Sequence, residues 1–260
     1  MITPFEIRLP TSRAGFASDQ TICSFSAGWL NIRTGRDGWR NDSIVEVPSQ
    51  LFDPEHRVDD QVAYRIEDNG TIVRACREPE IGDVVLLLES PHRDEFDGCG
   101  GRAIGPLRNE RVRAAVERYL PDILKGAEER LGRSLAGRGV NLVNAVQYQT
   151  SLQSLMIDYD AKLQSGVRTP VFRAVFDNGG SQDMLARLDR YEPSVVLSAP
   201  TSAVRKQVER EIEAHARCWP WLRVDRHPSS WMKRAPRLTN NLSPPTILLQ
   251  DRPAPRSKLE

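Results

Sequence analysis

Three polar residues stand at or just beyond the ends of apolar runs, where side chains can do chemistry. Glu89 follows Val84-Val-Leu-Leu-Leu88, Asn144 closes Gly139-Val-Asn-Leu-Val-Asn144, and His227 lies shortly after Trp221-Leu-Arg-Val224. A carboxylate can hold a developing positive charge or position water, a carboxamide both donates and accepts hydrogen bonds, and an imidazole can donate to a departing group. In a parallel sheet, ligands bind beyond the carboxyl ends of the strands. If these runs are neighbouring strands, the three residues meet at one site.

The surrounding pattern predicts such a sheet. Val84–Leu88 is continuously apolar, as in strands buried on both faces, and leads into a polar, Gly-rich loop over 89–105. A helix is expected from about Pro106 to Leu120, with Pro121 interrupting it and a second helix over 122–136. Ser194–Ser198 reads as a strand, and Val204, Val208, Ile212 and Ala216 form one stripe of a helix starting near Ser202. Residues 148–190 read as helical with breaks near Thr169-Pro170 and Asn178-Gly179-Gly180. The alternation implies an α/β fold, three-layer α/β/α with a central mostly parallel sheet. Residues 1–80 are expected to form a β-rich N-terminal extension, with Asp68-Asn69-Gly70 turning a tight hairpin. The α/β/α domain is expected over 81–248 and a disordered tail over 249–260.

Composition narrows the class. The chain has 260 residues, 39% hydrophobic and 27% charged, with a net charge of +1, which suits a globular protein large enough to bury a core. No run approaches the roughly 20 apolar residues of a bilayer span, and a cytoplasmic protein without membrane attachment is expected. Cys23, Cys76, Cys99 and Cys218 are isolated and suggest partly buried thiols, with no disulfide framework, metal site or cofactor. Charge is uneven: from 201 to 260, twelve basic residues face six acidic ones, the local excess a nucleic-acid surface would carry.

The ordered set Leu86-Leu-Leu-Glu-Ser-Pro-His92, Gly100-Gly-Arg-Ala-Ile-Gly-Pro-Leu107, Asn141-Leu-Val-Asn-Ala-Val146, Val195-Val-Leu-Ser-Ala-Pro-Thr-Ser-Ala203 and His227-Pro-Ser-Ser-Trp231 resembles the uracil-DNA glycosylase superfamily. Glu89-Ser90-Pro91 looks like its first motif, Asn144-Ala-Val like its N-V-V, and His227-Pro-Ser matches its closing H-P-S. The resemblance spans about 83–234. It departs at His92, where the family's iron–sulfur branch has Gly, and at Gln147-Tyr148, where that branch has a cluster cysteine. Phe96 is the nearest aromatic to the segment that stacks the flipped base.

The resemblance implies hydrolysis of the bond between base and deoxyribose. Positive charge grows on the sugar while the base leaves as an anion, and both charges need stabilising. Glu89 would serve the sugar and its water, and His227 would donate to the departing base. Asn144, with Phe96 and His92, would recognise the flipped base. Trp231 and Met232 would plug the gap in the stack, beside Arg226, Ser229, Ser230, Lys233 and Arg234 on the DNA backbone. No Lys suggests a Schiff-base lyase, so a monofunctional, monomeric DNA glycosylase leaving an abasic site is expected.

Uracil is the family's usual base, and a bulky modified cytosine such as glucosylated hydroxymethylcytosine would make the enzyme an anti-phage defence protein. A non-catalytic nucleic-acid-binding module and a hydrolase of small nucleosides are alternatives. Residue by residue, simpler readings also stand: Glu89 as the first solvated residue after a strand, with Asp94, Glu95 or Asp97 able to hold the catalytic role instead, Asn144 as a cap, and Trp231 and Met232 as core partners of Trp219 and Trp221.

Overall fold

The computed structural model describes residues 57–96, 103–150, 168–169, 171–173, 175–215 and 219–239, together with the strand backbones Phe5–Leu9 and Ser43–Val47. Those two strands, β1 and β2, form an antiparallel pair of their own. Seven more strands build the main sheet: β3 (Gln61–Ile66), β4 (Ile72–Arg77), β5 (Val84–Leu88), β6 (Gly139–Asn144), β7 (Val195–Ser198), β8 (Trp221–Val224) and β9 (Leu238–Thr239). Their order is β4-β3-β6-β5-β7-β8-β9. The chain is an α/β protein with a mixed sheet. The expected tail over 249–260 and the Gly-rich stretch 97–102 lie outside the described residues.

The parallel core is β6-β5-β7-β8, the four runs read from the sequence. β5, β6 and β7 are buried along their whole length, so each reads as an unbroken apolar stretch with only Asn141, Asn144 and Ser198 as polar members. The sheet is mixed because β3, β4 and β9 join its edges antiparallel.

The β3–β4 hairpin turns where Asn-Gly predicts. Gly70 takes φ 78°, its N–H donates to the Glu67 carbonyl at 2.8 Å, and Asn69 Oδ1 accepts from both the main chain and the hydroxyl of Thr71. The hairpin does not belong to a separate extension, however. β3 pairs directly with β6, so the α/β unit begins before residue 81. Cys76, on edge strand β4, is exposed rather than partly buried.

Helix α1 (Glu110–Leu131) is continuous through Pro121, against the expectation of two helices, and it starts at Asn109 rather than at Pro106. Asn109 caps it by accepting the Val112 N–H at 3.0 Å, and Gly132 closes it in the left-handed region at φ 64°. An internal proline costs about 3 kcal/mol. Burial of Val116, Leu120, Ile123 and Leu124, two before the proline and two after, offsets this at roughly 1.5–3 kcal/mol per side chain. These residues pack with Leu86, Leu88, Leu142, Leu197 and Leu222 from one face of the sheet.

The chain then passes through a distorted turn at Phe176–Gly180, where Asn178 and Gly179 leave helical geometry as their residue types suggest, into α2 (Ser181–Tyr191). α3 (Arg205–His215) follows β7 and buries Val208 and Ile212. No helix among the described residues is long and apolar enough to cross a membrane.

Candidate active site

The parallel strands end side by side. Leu88 of β5 stands opposite Asn144 of β6, and Leu87 opposite Ser198 of β7. Main-chain bonds continue past the strand ends: Ala145 N–H to the Leu88 carbonyl at 3.0 Å, Val146 N–H to that of Glu89 at 3.0 Å, and Ala199 N–H to that of Leu87 at 2.8 Å. The first residues of three loops are thus fixed to the sheet edge before any side chain contributes.

Glu89 lies at the bottom of this edge, 1% exposed. Its Oε1 accepts from Arg168 Nε at 2.7 Å, and its Oε2 accepts from the Thr201 hydroxyl. A buried carboxylate needs such partners, because without them burial costs several kcal/mol. Beside it the hydroxyls of Ser90 and Thr150 share a hydrogen bond of 2.8 Å. Thr201 is held in turn as α3 begins, its carbonyl accepting the Arg205 N–H at 2.9 Å.

His227 follows β8 and is half-buried. Its Nδ1 accepts from the Ser229 N–H at 3.2 Å and lies 2.9 Å from the Ser229 hydroxyl, while Ser230 Oγ donates to the His227 carbonyl at 2.8 Å. An Nδ1 that accepts a main-chain N–H carries no proton, so the proton of the neutral ring sits on Nε2. Burial, with Arg168, Arg205 and His92 nearby, pushes the imidazole down to about 3. At neutral pH the site therefore holds an uncharged imidazole able to donate from Nε2.

Asn144 is 4% exposed, and among the described residues no hydrogen bond engages its side-chain amide. Its backbone is anchored by Arg187, which donates through Nη2 to the Asn144 carbonyl at 2.9 Å and through Nη1 to Asp60 at 2.7 Å. The Tyr191 hydroxyl and Gln147 also donate to Asp60, at 2.9 and 3.2 Å. A buried ionic cluster therefore supports the end of β6.

The other expected site residues divide. His92 is exposed, with Nδ1 3.3 Å from Asp94. Phe96 is buried and bridges Ala103 across the base of its loop. Met232, Lys233 and Arg234 are exposed and Ser229 stands with them, whereas Arg226 is half-buried, 3.6 Å from Asp225. Trp231 is not at the surface: it is fully buried in the core beside α1, and its indole N–H donates to the Arg226 carbonyl at 2.9 Å. Its apolar area and its one donor are both satisfied inside the protein, so of the expected pair only Met232, 42% exposed, is free to meet a ligand.

The chain matches no protein-family model, no curated protein and no solved structure. The site must be read from its own geometry. Among the described residues no three His, Cys, Asp or Glu side chains gather as metal ligands would.

Sequence reasoning passed over two residues that touch Glu89. Thr201 lies inside the Ser198-Ala-Pro-Thr201 loop already singled out, where a hydroxyl following a buried strand was a readable signal. Arg168 carried no local signal, because it reaches Glu89 from 79 residues away. Glu95, read from the sequence only as an alternative carboxylate to Glu89, lies in the interior. Its Oε1 accepts the Leu107 N–H at 2.9 Å, its Oε2 has no partner among the described residues, and burial pushes it up to about 7.

Proposed function

We propose that this chain is a monofunctional DNA glycosylase that hydrolyses the bond between deoxyribose and a flipped uracil or modified pyrimidine, leaving an abasic site. The observation that carries this reading is the convergence of Glu89, Asn144, Thr201 and His227 at the carboxyl ends of four adjacent parallel strands. That is the order and placement in which the uracil-DNA glycosylase-like motifs would act. The fold is then read as three layers, with α1 on one face. On the other, α3 sends Glu209 to the Ser198 hydroxyl at 3.4 Å and to Arg223 at 2.6 Å.

In this mechanism the flipped nucleotide lies with its sugar over Glu89 and its base between Asn144 and His227. As the glycosidic bond lengthens, the carboxylate stabilises the positive charge on the sugar and positions water for the opposite face. Negative charge on the base is met by the Nε2–H of neutral His227, a preorganised donor of the kind worth on the order of a hundred- to a thousand-fold in rate. Asn144 reads the base edge, with its main chain held by Arg187 so that discrimination needs no rearrangement. Met232, Lys233 and Arg234, just past the His-Pro-Ser turn, face the DNA, and the protein acts as a monomer.

The test is incubation of purified protein with labelled single- and double-stranded DNA containing uracil, and with phage DNA containing modified or unmodified cytosine, followed by alkali. Alkali-labile breaks on one of these substrates support the reading and name the base. A folded protein giving none, or one that hydrolyses free nucleosides and leaves DNA intact, overturns it.

A further inference from the structure

Arg168 touches the floor of the site while standing at its mouth. Its Nε is 2.7 Å from Oε1 of Glu89, yet its own side chain is 37% exposed against 1% for the glutamate. A guanidinium carries five N–H donors in a rigid fork. Among the described residues Nη1 and Nη2 of Arg168 have no hydrogen-bond partner. The neighbouring cations are committed elsewhere. Arg205 donates to the carbonyls of Asp225 at 2.6 Å and Pro200 at 2.9 Å, and Arg223 is 2.6 Å from Glu209.

Arg168 thus presents the open side of a fork whose orientation is already fixed by Glu89, the geometry in which arginine binds phosphate through two parallel hydrogen bonds. We propose that Arg168 is a substrate-binding residue whose Nη groups take a phosphate of the DNA strand beside the flipped nucleotide while its Nε keeps hold of Glu89. This rests on the glycosylase reading. The relative exposures support a backbone phosphate: base and sugar go to the buried Asn144 and Glu89, 4% and 1% exposed, and the phosphates of the strand stay outside them, where the partly exposed Arg168 is.

The arrangement also couples binding to chemistry. In the free protein Glu89 is the cation's hydrogen-bond partner among the described residues. A phosphate on the fork divides that charge between two anions, so the carboxylate, still held by Nε, is less neutralised and can answer the positive charge growing on the sugar. Strand-borne nucleotides would be processed and free nucleosides, which lack the phosphate, would not.

The experiment is the affinity of wild-type protein, Arg168→Lys and Arg168→Gln for a single-stranded oligonucleotide bearing an abasic-site analogue, measured across a salt series. A parallel oligonucleotide has one flanking phosphate replaced by an uncharged methylphosphonate. Arg168→Gln is expected to bind about tenfold more weakly and to lower the salt slope by about 0.7, one phosphate's share on single strands, whereas Arg168→Lys keeps the slope. The methylphosphonate should cost the wild type the same and cost Arg168→Gln nothing more. An unchanged wild-type affinity for oligonucleotides with the methylphosphonate on either side, or an unchanged slope in folded Arg168→Gln, overturns the proposal and leaves the glycosylase reading standing. Wild-type protein that binds no oligonucleotide overturns both.

Discussion

Arg187 donates through Nη2 to the main-chain carbonyl of Asn144 at 2.9 Å. The same guanidinium is paired with Asp60, and both side chains are 2% exposed. The end of β6, and with it the amide that would read a base, is tied to a charge pair almost closed to water.

Removing one partner of such a pair strands the other charge. Arg187→Ala should lose about 3–5 kcal/mol of stability, measured by urea unfolding, and should impair base discrimination more than any exposed Arg substitution. A loss below about 1 kcal/mol would mean that the cluster does not support β6.

His227 gives a pH signature. Above its ordinary value of 6.5 the ring is neutral in folded and unfolded chains alike, so it adds no pH dependence. Below that, the unfolded chain takes up a proton that the folded chain refuses until about 3, so its effect is to lower stability as pH falls through that window. His227→Gln should flatten this part of the unfolding curve. NMR of the ring should show a single neutral tautomer, protonated at Nε2, at pH 6.

Glu95 acts in the opposite direction. Its folded value lies near 7, above the usual 4.5, so its stability contribution is complete below 4.5 and is lost as pH rises through 7. Glu95→Gln keeps an acceptor for the Leu107 N–H and has no charge to bury. The variant should be more resistant to urea than wild type at pH 8, and the advantage should vanish near pH 4.

Trp231 and Met232 are adjacent in sequence but do different work. Trp231→Ala should cost about 3–5 kcal/mol through the cavity it leaves. Met232→Ala should change stability by about 0.5 kcal/mol or less while weakening duplex binding or turnover. Thermal melts beside binding measurements separate the two.

The parallel core was legible because strands buried on both faces leave continuous apolar runs, and Glu89, Asn144 and His227 were legible because they end or follow those runs. The hairpin was readable from Asn69-Gly70, but its attachment to β6 was not, since main-chain pairing leaves no mark on side-chain type. Pro121 misled because the burial that offsets its cost comes from the sheet. Trp231 was left open between core and wedge because an aromatic beside a catalytic-looking turn has the same sequence whether it faces core or solvent. Arg168 was invisible because its meaning lies entirely in a contact made across the fold.

The most direct test is mass spectrometry of small molecules released from the preferred DNA substrate under single-turnover conditions, with wild type and Glu89→Gln side by side. Wild type should release the intact free base in step with abasic sites. Glu89→Gln, folded and still binding DNA, should be slower by at least on the order of a hundredfold. Release of a nucleotide instead of a base, or undiminished release by Glu89→Gln, would contradict the account.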